Sequence, residues 1–207
     1  MLGVKSREKL SKPLETMGSL IAKIGINPNI FTSLALIWAV IAAYLIANNN
    51  IISGIIFVIL ASIWDALDGS LARVLGKTSK FGNYLDALID RYVEIIIFFG
   101  FALAGFQIEA FLVISGSLVV SYAKARTAII AQVDNHSWPT IGERLDRLVL
   151  LVIGMVISIF LPTITILEFT VTTMSFFLYL IAIVVYLGSI QRIFYAKKII
   201  KEGKINL

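Results

Sequence analysis

The sequence predicts an all-α integral membrane protein, with six transmembrane helices preceded by an amphipathic interfacial helix, in one membrane domain spanning residues 1–207. Three observations predict it. The 207 residues are 58% hydrophobic and 15% charged, with a mean hydropathy of +0.91, more apolar than a soluble core of this length absorbs. Six apolar runs each approach the roughly 20 residues a helix needs to cross the hydrocarbon. Lysine and arginine gather in alternate connections between those runs.

The elements follow in order. Leu10, Leu14, Met17, Ile21 and Ile24 recur at helical spacing, with Lys9, Lys12, Glu15 and Lys23 among them. The expectation is an amphipathic helix over residues 4–25, lying in the cytoplasmic interface. The alternative is a soluble helix packed on the protein's own loops. Pro13 fits the first turn of such a helix if it begins around Ser11. The first apolar run starts near Ile30, behind many charges, so a cleaved signal peptide is not expected. A six-helix core over residues 30–195 then comprises spans of approximately Ile30–Ala47, Ile51–Val74, Phe81–Gly105, Glu109–Val133, Arg147–Leu161 and Phe169–Tyr195. The breaks are polar or turn-like: Asn48-Asn49-Asn50, Gly76-Lys77, Gly105-Phe106-Gln107, Asp134-Asn135-His136 and Pro162-Thr163. Helices are the reading of such runs because backbone groups in lipid must be satisfied internally.

Charge sets the orientation. Lys5, Arg7, Lys9, Lys12 and Lys23 precede the first span, and Arg73, Lys77 and Lys80 separate the second from the third. Lys124, Arg126, Arg144 and Arg147 surround the loop between the fourth and fifth, and Arg192, Lys197, Lys198, Lys201 and Lys204 close the sixth. The alternate loops near Asn49, Gln107 and Thr163 contain neither lysine nor arginine. Positive residues favour the cytoplasmic side, so both termini are expected there, as is the active site.

Inside these greasy stretches stand four acids, Asp65, Asp68, Asp86 and Asp90. An ionised carboxylate at membrane depth costs several kcal/mol by most estimates, so its presence points to function. Spacings of three and four residues put each pair on one helical face. An ion-pair network with Arg73 and Arg91 is the structural alternative, but four acids outnumber two arginines. A divalent metal is the obvious shared counter-charge. Oxygen ligands at this density suit Mg²⁺, Mn²⁺ or Ca²⁺; no cysteine is available for a zinc shell, and the lone His136 lies in a polar loop. Magnesium is commonly shared with substrate phosphates, and Arg73 could then hold a diphosphate oxygen. Gly69 and Ala72 leave a strip without bulk beside the acids, suited to close helix packing or to a ligand. No cysteine nucleophile or disulfide is present.

The run from Asp65 to Asp90 resembles the signature of the CDP-alcohol phosphotransferase family. It matches in Asp65, Asp68, Gly69, Ala72, Arg73, Gly82, Asp86 and Asp90, eight spaced identities over 26 residues. The resemblance implies a six-helix membrane enzyme, often a homodimer, that transfers the lipid-phosphate group of a CDP-linked lipid to an alcohol and releases CMP. It implies that Asp65, Asp68 and Asp86 ligate a two-metal site, with Mg²⁺ or Mn²⁺ as cofactor. Asp90 is implied as a partial ligand and as the general base. Gly69, Ala72, Arg73 and Gly82 are implied to hold the CDP moiety beside Asp65 and Asp68. Asn29 and Thr32, in Asn27-Pro28-Asn29-Ile30-Phe31-Thr32, resemble a second family element near the nucleotide, although Pro-Asn before a helix is also an ordinary start signal.

For the acceptor, Lys124, Arg126, Arg144, Arg147 and Arg192 gather at the expected cytoplasmic ends of the last three spans. Positive-inside bias alone would produce several of them. Yet Ser121-Tyr122-Ala123-Lys124-Ala125-Arg126 and Gly142-Glu143-Arg144-Leu145-Asp146-Arg147 are similar to the branch of the family that uses inositol 1-phosphate. That branch makes phosphatidylinositol phosphate or its archaeal ether-lipid equivalent, and the similarity implies that Lys124, Arg147 and Arg192 grip the acceptor's phosphate. Where the branch often carries a proline between the loop arginines, Leu145-Asp146 intervenes here. The runner-up acceptor is glycerol 3-phosphate. A cation transporter built on intramembrane acids is the alternative class, but it needs polar stations across the full membrane, and the outer helix halves are almost uniformly apolar. The expected partners are therefore a CDP-linked lipid, inositol 1-phosphate, the bilayer and a second copy of the chain, with no nucleic acid.

Overall fold

The structure is a computed structural model that describes residues 16–131, 140–166 and 168–202. Seven helices stand among the described residues. A short α1 covers residues 16–22. It is followed by α2 (Pro28–Ala47), α3 (Ile51–Val74), α4 (Lys80–Leu103), α5 (Gln107–Ala131), α6 (Arg144–Phe160) and α7 (Thr173–Glu202). The fold is all-α apart from one antiparallel hairpin, β1 (Thr163–Ile166) with β2 (Phe169–Thr172).

The helix starts are written locally. Asn27 caps α2 by accepting from the Asn29 amide at 3.0 Å, with Pro28 in the first turn, where its missing N–H costs nothing. Ser79 caps α4 by accepting from the Gly82 amide at 2.9 Å. At the start of α6, the Glu143 amide donates back to Asp146 at 3.1 Å, one arm of a capping box.

The chain forms two compact units, residues 1–105 and 106–207. In the first, α2 packs against both α3 and α4. Its buried face is Phe31, Ala35, Ala39, Ala42, Ala43 and Ile46, a helical stripe made mostly of alanine. Small residues let backbones approach closely, which is how membrane helices gain dispersion contacts without a hydrophobic driving force. At Gly100 of α4 an added Cβ would lie 2.6 Å from Ala43 Cα, so only glycine fits that crossing. Residues 16–22 lie along the end of α3, where Gly18 faces Ser70 Oγ, and Ile21 packs on the core of Phe31, Leu67 and Leu71. In the second unit α7 packs against α5 and α6, with Val113 and Val120 of α5 and Leu178, Ile181 and Val185 of α7 fully buried.

Among the described residues, four helices are long and apolar enough to cross a membrane: α2, α3, α5 and α7. Large apolar side chains such as Ile37, Val40, Ile52, Ile56, Phe111 and Ile183 are exposed along them. That is the pattern of surfaces solvated by lipid. The protein is an integral membrane protein. The other two expected spans differ for physical reasons. α4 has 24 residues but carries Lys80, Asp86, Asp90, Arg91 and Glu94. α6 has 17 residues, about 26 Å at the usual rise, against a hydrocarbon core of about 30 Å.

Two helices depart from their expected bounds by three residues or more. The last span does not begin at Phe169: residues 169–172 pair with 163–166, and α7 starts at Thr173 and runs on to Glu202. Threonine and β-branched residues fill both strands, which favours a pleated ribbon over a helical first turn. The fifth helix starts earlier than Arg147, at Arg144, because its cap is Glu143. Much of the interfacial-helix expectation, including Leu10 and Leu14, lies outside the described residues, as do His136 and the loop at Asp134-Asn135.

Candidate functional site

In the first unit, the residues singled out in the sequence come from three helix ends. Asp65 and Asp68 project from the last turns of α3, and Asp86 and Asp90 from the first turns of α4. Asn29 and Thr32 lie in the first turn of α2. Carboxylate oxygens of Asp65, Asp68 and Asp86 lie within 4.8 Å of one another. Asp68 is buried, and its Oδ2 has no hydrogen-bond partner among the described residues. A buried carboxylate oxygen without a partner is costly unless something outside the chain satisfies it. Three oxygen donors at this spacing, one of them orphaned, fit a hard divalent cation.

Asp90 is not part of that trio. It lies one helical turn beyond Asp86, and its Oδ2 stands 3.7 Å from the Arg91 guanidinium. Arg91 in turn donates to Glu94 at 3.2 Å, and Glu94 is buried. Arg91 and Glu94 thus form an ion pair beside Asp90, part of the protein-cation alternative weighed from the sequence. Glu94 was legible only as an acid three residues from an arginine, a spacing that is common on helices.

The small residues of the motif line the same region. Around Gly69, an added Cβ would meet only the Arg73 guanidinium at 3.4 Å among the described residues, so no packing seen there demands glycine. Gly82 faces Ser79 Oγ and Asn29 Oδ1, at 3.1 and 3.5 Å from such a Cβ. Asn29 and Gly82, far apart in sequence, are therefore neighbours. Ala72 is half-buried and Arg73 exposed.

The second unit holds a separate basic cluster. Arg192 of α7 is buried, with its Nε donating to Thr140 Oγ1 at 2.7 Å and its Nη1 to the Val120 carbonyl. Arg147 of α6 is also buried and donates to the Gly142 carbonyl. Lys124 of α5 donates to Glu143 Oε1 at 3.2 Å, and Arg192 Nη2 stands 3.6 Å from that same oxygen. Two helices, α5 and α7, thus converge on Glu143, the residue that caps α6. Arg144 is half-buried and Arg126 exposed. Of the five basic residues singled out in the sequence, Lys124 and Arg192 meet on one carboxylate, and Arg147 holds the loop that carries it. Glu143 itself was not predicted, since nothing in the sequence ties it to Lys124 or Arg192.

Comparison with known proteins now bears on this geometry. The sequence pattern of the CDP-alcohol phosphatidyltransferase family matches residues 25–189, most of the chain. An archaetidylinositol phosphate synthase from Pyrococcus horikoshii is 35% identical over 204 residues, covering 96% of this chain and 98% of that protein. A phosphatidylinositol phosphate synthase from Mycobacteroides abscessus is 29% identical over 168 residues, covering 76% of this chain and 74% of that protein. Among solved structures, the phosphatidylinositol phosphate synthase of Mycobacterium tuberculosis with CDP-DAG bound superposes with a TM-score of 0.74 at 24% identity, covering 88% of this chain and 92% of that one. The same enzyme in complex with manganese and citrate gives a TM-score of 0.73. With the full motif on α3 and α4, three of its carboxylates gathered where they could hold a metal ion and a family match along most of its length, the chain belongs to the CDP-alcohol phosphatidyltransferase family and is a membrane transferase of phospholipid synthesis.

Proposed function

We propose that the protein transfers the lipid-phosphate group of a CDP-linked lipid, CDP-diacylglycerol or its archaeal ether analogue, to inositol 1-phosphate with release of CMP. The observation that carries the reaction is the gathering of Asp65, Asp68 and Asp86 within 4.8 Å, with a buried orphan oxygen on Asp68. Relatives named as synthases of inositol-phosphate lipids, one matching 96% of the chain, favour inositol 1-phosphate over glycerol 3-phosphate.

Each residue then has a task. Asp65, Asp68 and Asp86 hold one or two Mg²⁺ or Mn²⁺ ions, Asp90 contributing as a partial ligand. When bound, such ions supply positive charge that stabilises the departing CMP phosphate. Arg73 binds a diphosphate oxygen, while Asn29, Thr32, Gly69, Ala72 and Gly82 accommodate the nucleotide. Asp90 takes the proton of the acceptor hydroxyl as that oxygen bonds to the lipid-side phosphorus and the bond to CMP breaks. Lys124, Arg147 and Arg192, with Arg126 and Arg144 nearby in sequence, bind the acceptor's phosphate by charge-assisted hydrogen bonds. A serine or choline acceptor would need no such cluster.

The surrounding architecture is a single six-span membrane domain with an interfacial N-terminal helix, both termini and the active site facing the cytoplasm, and a homodimeric state. The exposed Met17, Leu20 and Ile24 support contact of the first helix with lipid headgroups, and the distribution of lysine and arginine supports the orientation.

The test is CMP release by purified protein in detergent with Mg²⁺ and a CDP-linked lipid, comparing inositol 1-phosphate, glycerol 3-phosphate and no acceptor. Release that depends on inositol 1-phosphate is expected. Release driven by glycerol 3-phosphate alone would assign the other acceptor, and no release with either would remove the transferase assignment of this site.

A further inference from the structure

Glu143 caps α6 through its backbone amide, which donates to Asp146, and its side chain stands where two cations meet. Its Oε1 lies 3.2 Å from Lys124 Nζ and 3.6 Å from Arg192 Nη2. Arg192 is fixed independently by Thr140 Oγ1 and the Val120 carbonyl. The Arg192 side chain is 4% exposed and that of Glu143 is 39% exposed, so the carboxylate is partly open to its surroundings while the guanidinium beside it is buried. The loop bearing it is pinned. The Ile141 amide donates to Gln191 Oε1 at 3.0 Å, and Arg147 holds the Gly142 carbonyl. Gly142 has a φ of 72°, and an added Cβ there would lie 2.9 Å from the Val184 carbonyl. Gly188, one turn further along α7, meets the Ile141 carbonyl. A backbone held this firmly leaves rotation of the Glu143 side chain as the way for the carboxylate to leave.

We propose that Glu143 is a built-in occupant of the acceptor-phosphate site: its carboxylate takes the place between Lys124 and Arg192 that the phosphate of the acceptor fills. The proposal rests on the reading that this basic cluster binds a phosphorylated acceptor. A phosphate dianion brings more charge and more acceptor oxygens than one carboxylate, so it displaces Glu143, whereas an uncharged alcohol has nothing to exchange for the lost ion pairs. Glu143 is thus a specificity-determining positioning residue. It lowers the apparent affinity for every acceptor by the fraction of time the site stands open, and rejects those without a phosphate.

The experiment uses the full chain in detergent with Mg²⁺ and a CDP-linked lipid, with initial rates measured against inositol 1-phosphate for wild type, Glu143→Gln and Lys124→Ala. Glu143→Gln should lower KM for inositol 1-phosphate by about three- to tenfold with kcat nearly unchanged, and inorganic phosphate should inhibit it at correspondingly lower concentrations. A merely structural clamp would not raise affinity when its charge is removed, so an unchanged or higher KM overturns the proposal. If Lys124→Ala raises KM while Glu143→Gln fails to lower it, the Glu143 proposal alone falls. If Lys124→Ala leaves KM unchanged, the acceptor role of the cluster falls as well. Should Glu143→Gln not fold, Glu143→Asp, with its shorter reach to Lys124, is read the same way and should show a smaller decrease in KM. Should inositol 1-phosphate not be turned over, thermal stabilisation by inorganic phosphate decides: a stronger effect on Glu143→Gln than on wild type is expected, and an equal or weaker one overturns the proposal.

Discussion

At the scale of residues, the site divides into a carboxylate oxygen left without a partner among the described residues and side chains that the protein satisfies itself. The Asp68 Oδ2 atom is the former, and Asp90 beside Arg91 belongs to the latter. Asp90→Asn should therefore keep the fold while turnover falls by about 10²- to 10⁴-fold, the usual contribution of a positioned base. Circular dichroism together with CMP release checks both halves. Arg147 differs from an ordinary surface cation because it is buried and donates to the Gly142 carbonyl. Arg147→Ala should thus raise KM for inositol 1-phosphate and also destabilise the protein by about 1–3 kcal/mol, the cost of orphaning a buried acceptor. Thermal unfolding in detergent measures the second effect separately. The carboxylates were legible in the sequence because charge is so unexpected inside apolar helices. Glu143 was not, since its meaning depends on Lys124 and Arg192 arriving from two other helices.

At the scale of elements, glycines that look alike in sequence separate into two kinds. Gly100 packs directly on Ala43, so Gly100→Leu should drive α2 and α4 apart and cost about 1–3 kcal/mol or more through overpacking. At Gly69 an added Cβ would make ordinary contact with the end of the flexible Arg73 side chain, so Gly69→Ala should leave the melting temperature unchanged or slightly raised, given alanine's higher helix propensity, while turnover drops. Melting curves and rates on the same preparations decide between packing and ligand roles at both positions. The second span was legible to the residue, since Asn50 before it and the charge after it mark both ends. The hairpin before α7 was not. Its apolar and threonine residues fit a membrane run as well as a ribbon, and only the pairing of residues 163–166 with 169–172 tells them apart.

At the scale of the molecule, hydropathy marks four helices among the described residues as long and apolar enough to cross a membrane, and the acids of α4 and the shortness of α6 keep those two helices below that mark. The same residues that make the site thus weaken the sequence signal of the helix carrying it. Six crossings would put both termini on one side, and reporters fused to each end should both report the cytoplasm. Opposite locations would mean an odd number of spans. The central claim is that three carboxylates of α3 and α4 hold a divalent ion where a CDP-linked diphosphate binds. Anomalous scattering from crystals grown with Mn²⁺ and a CDP-linked lipid tests it most directly. A manganese peak ligated by Asp65, Asp68 and Asp86 and touching the diphosphate is the predicted result; a peak elsewhere, or none while the diphosphate is bound by protein cations alone, would contradict it.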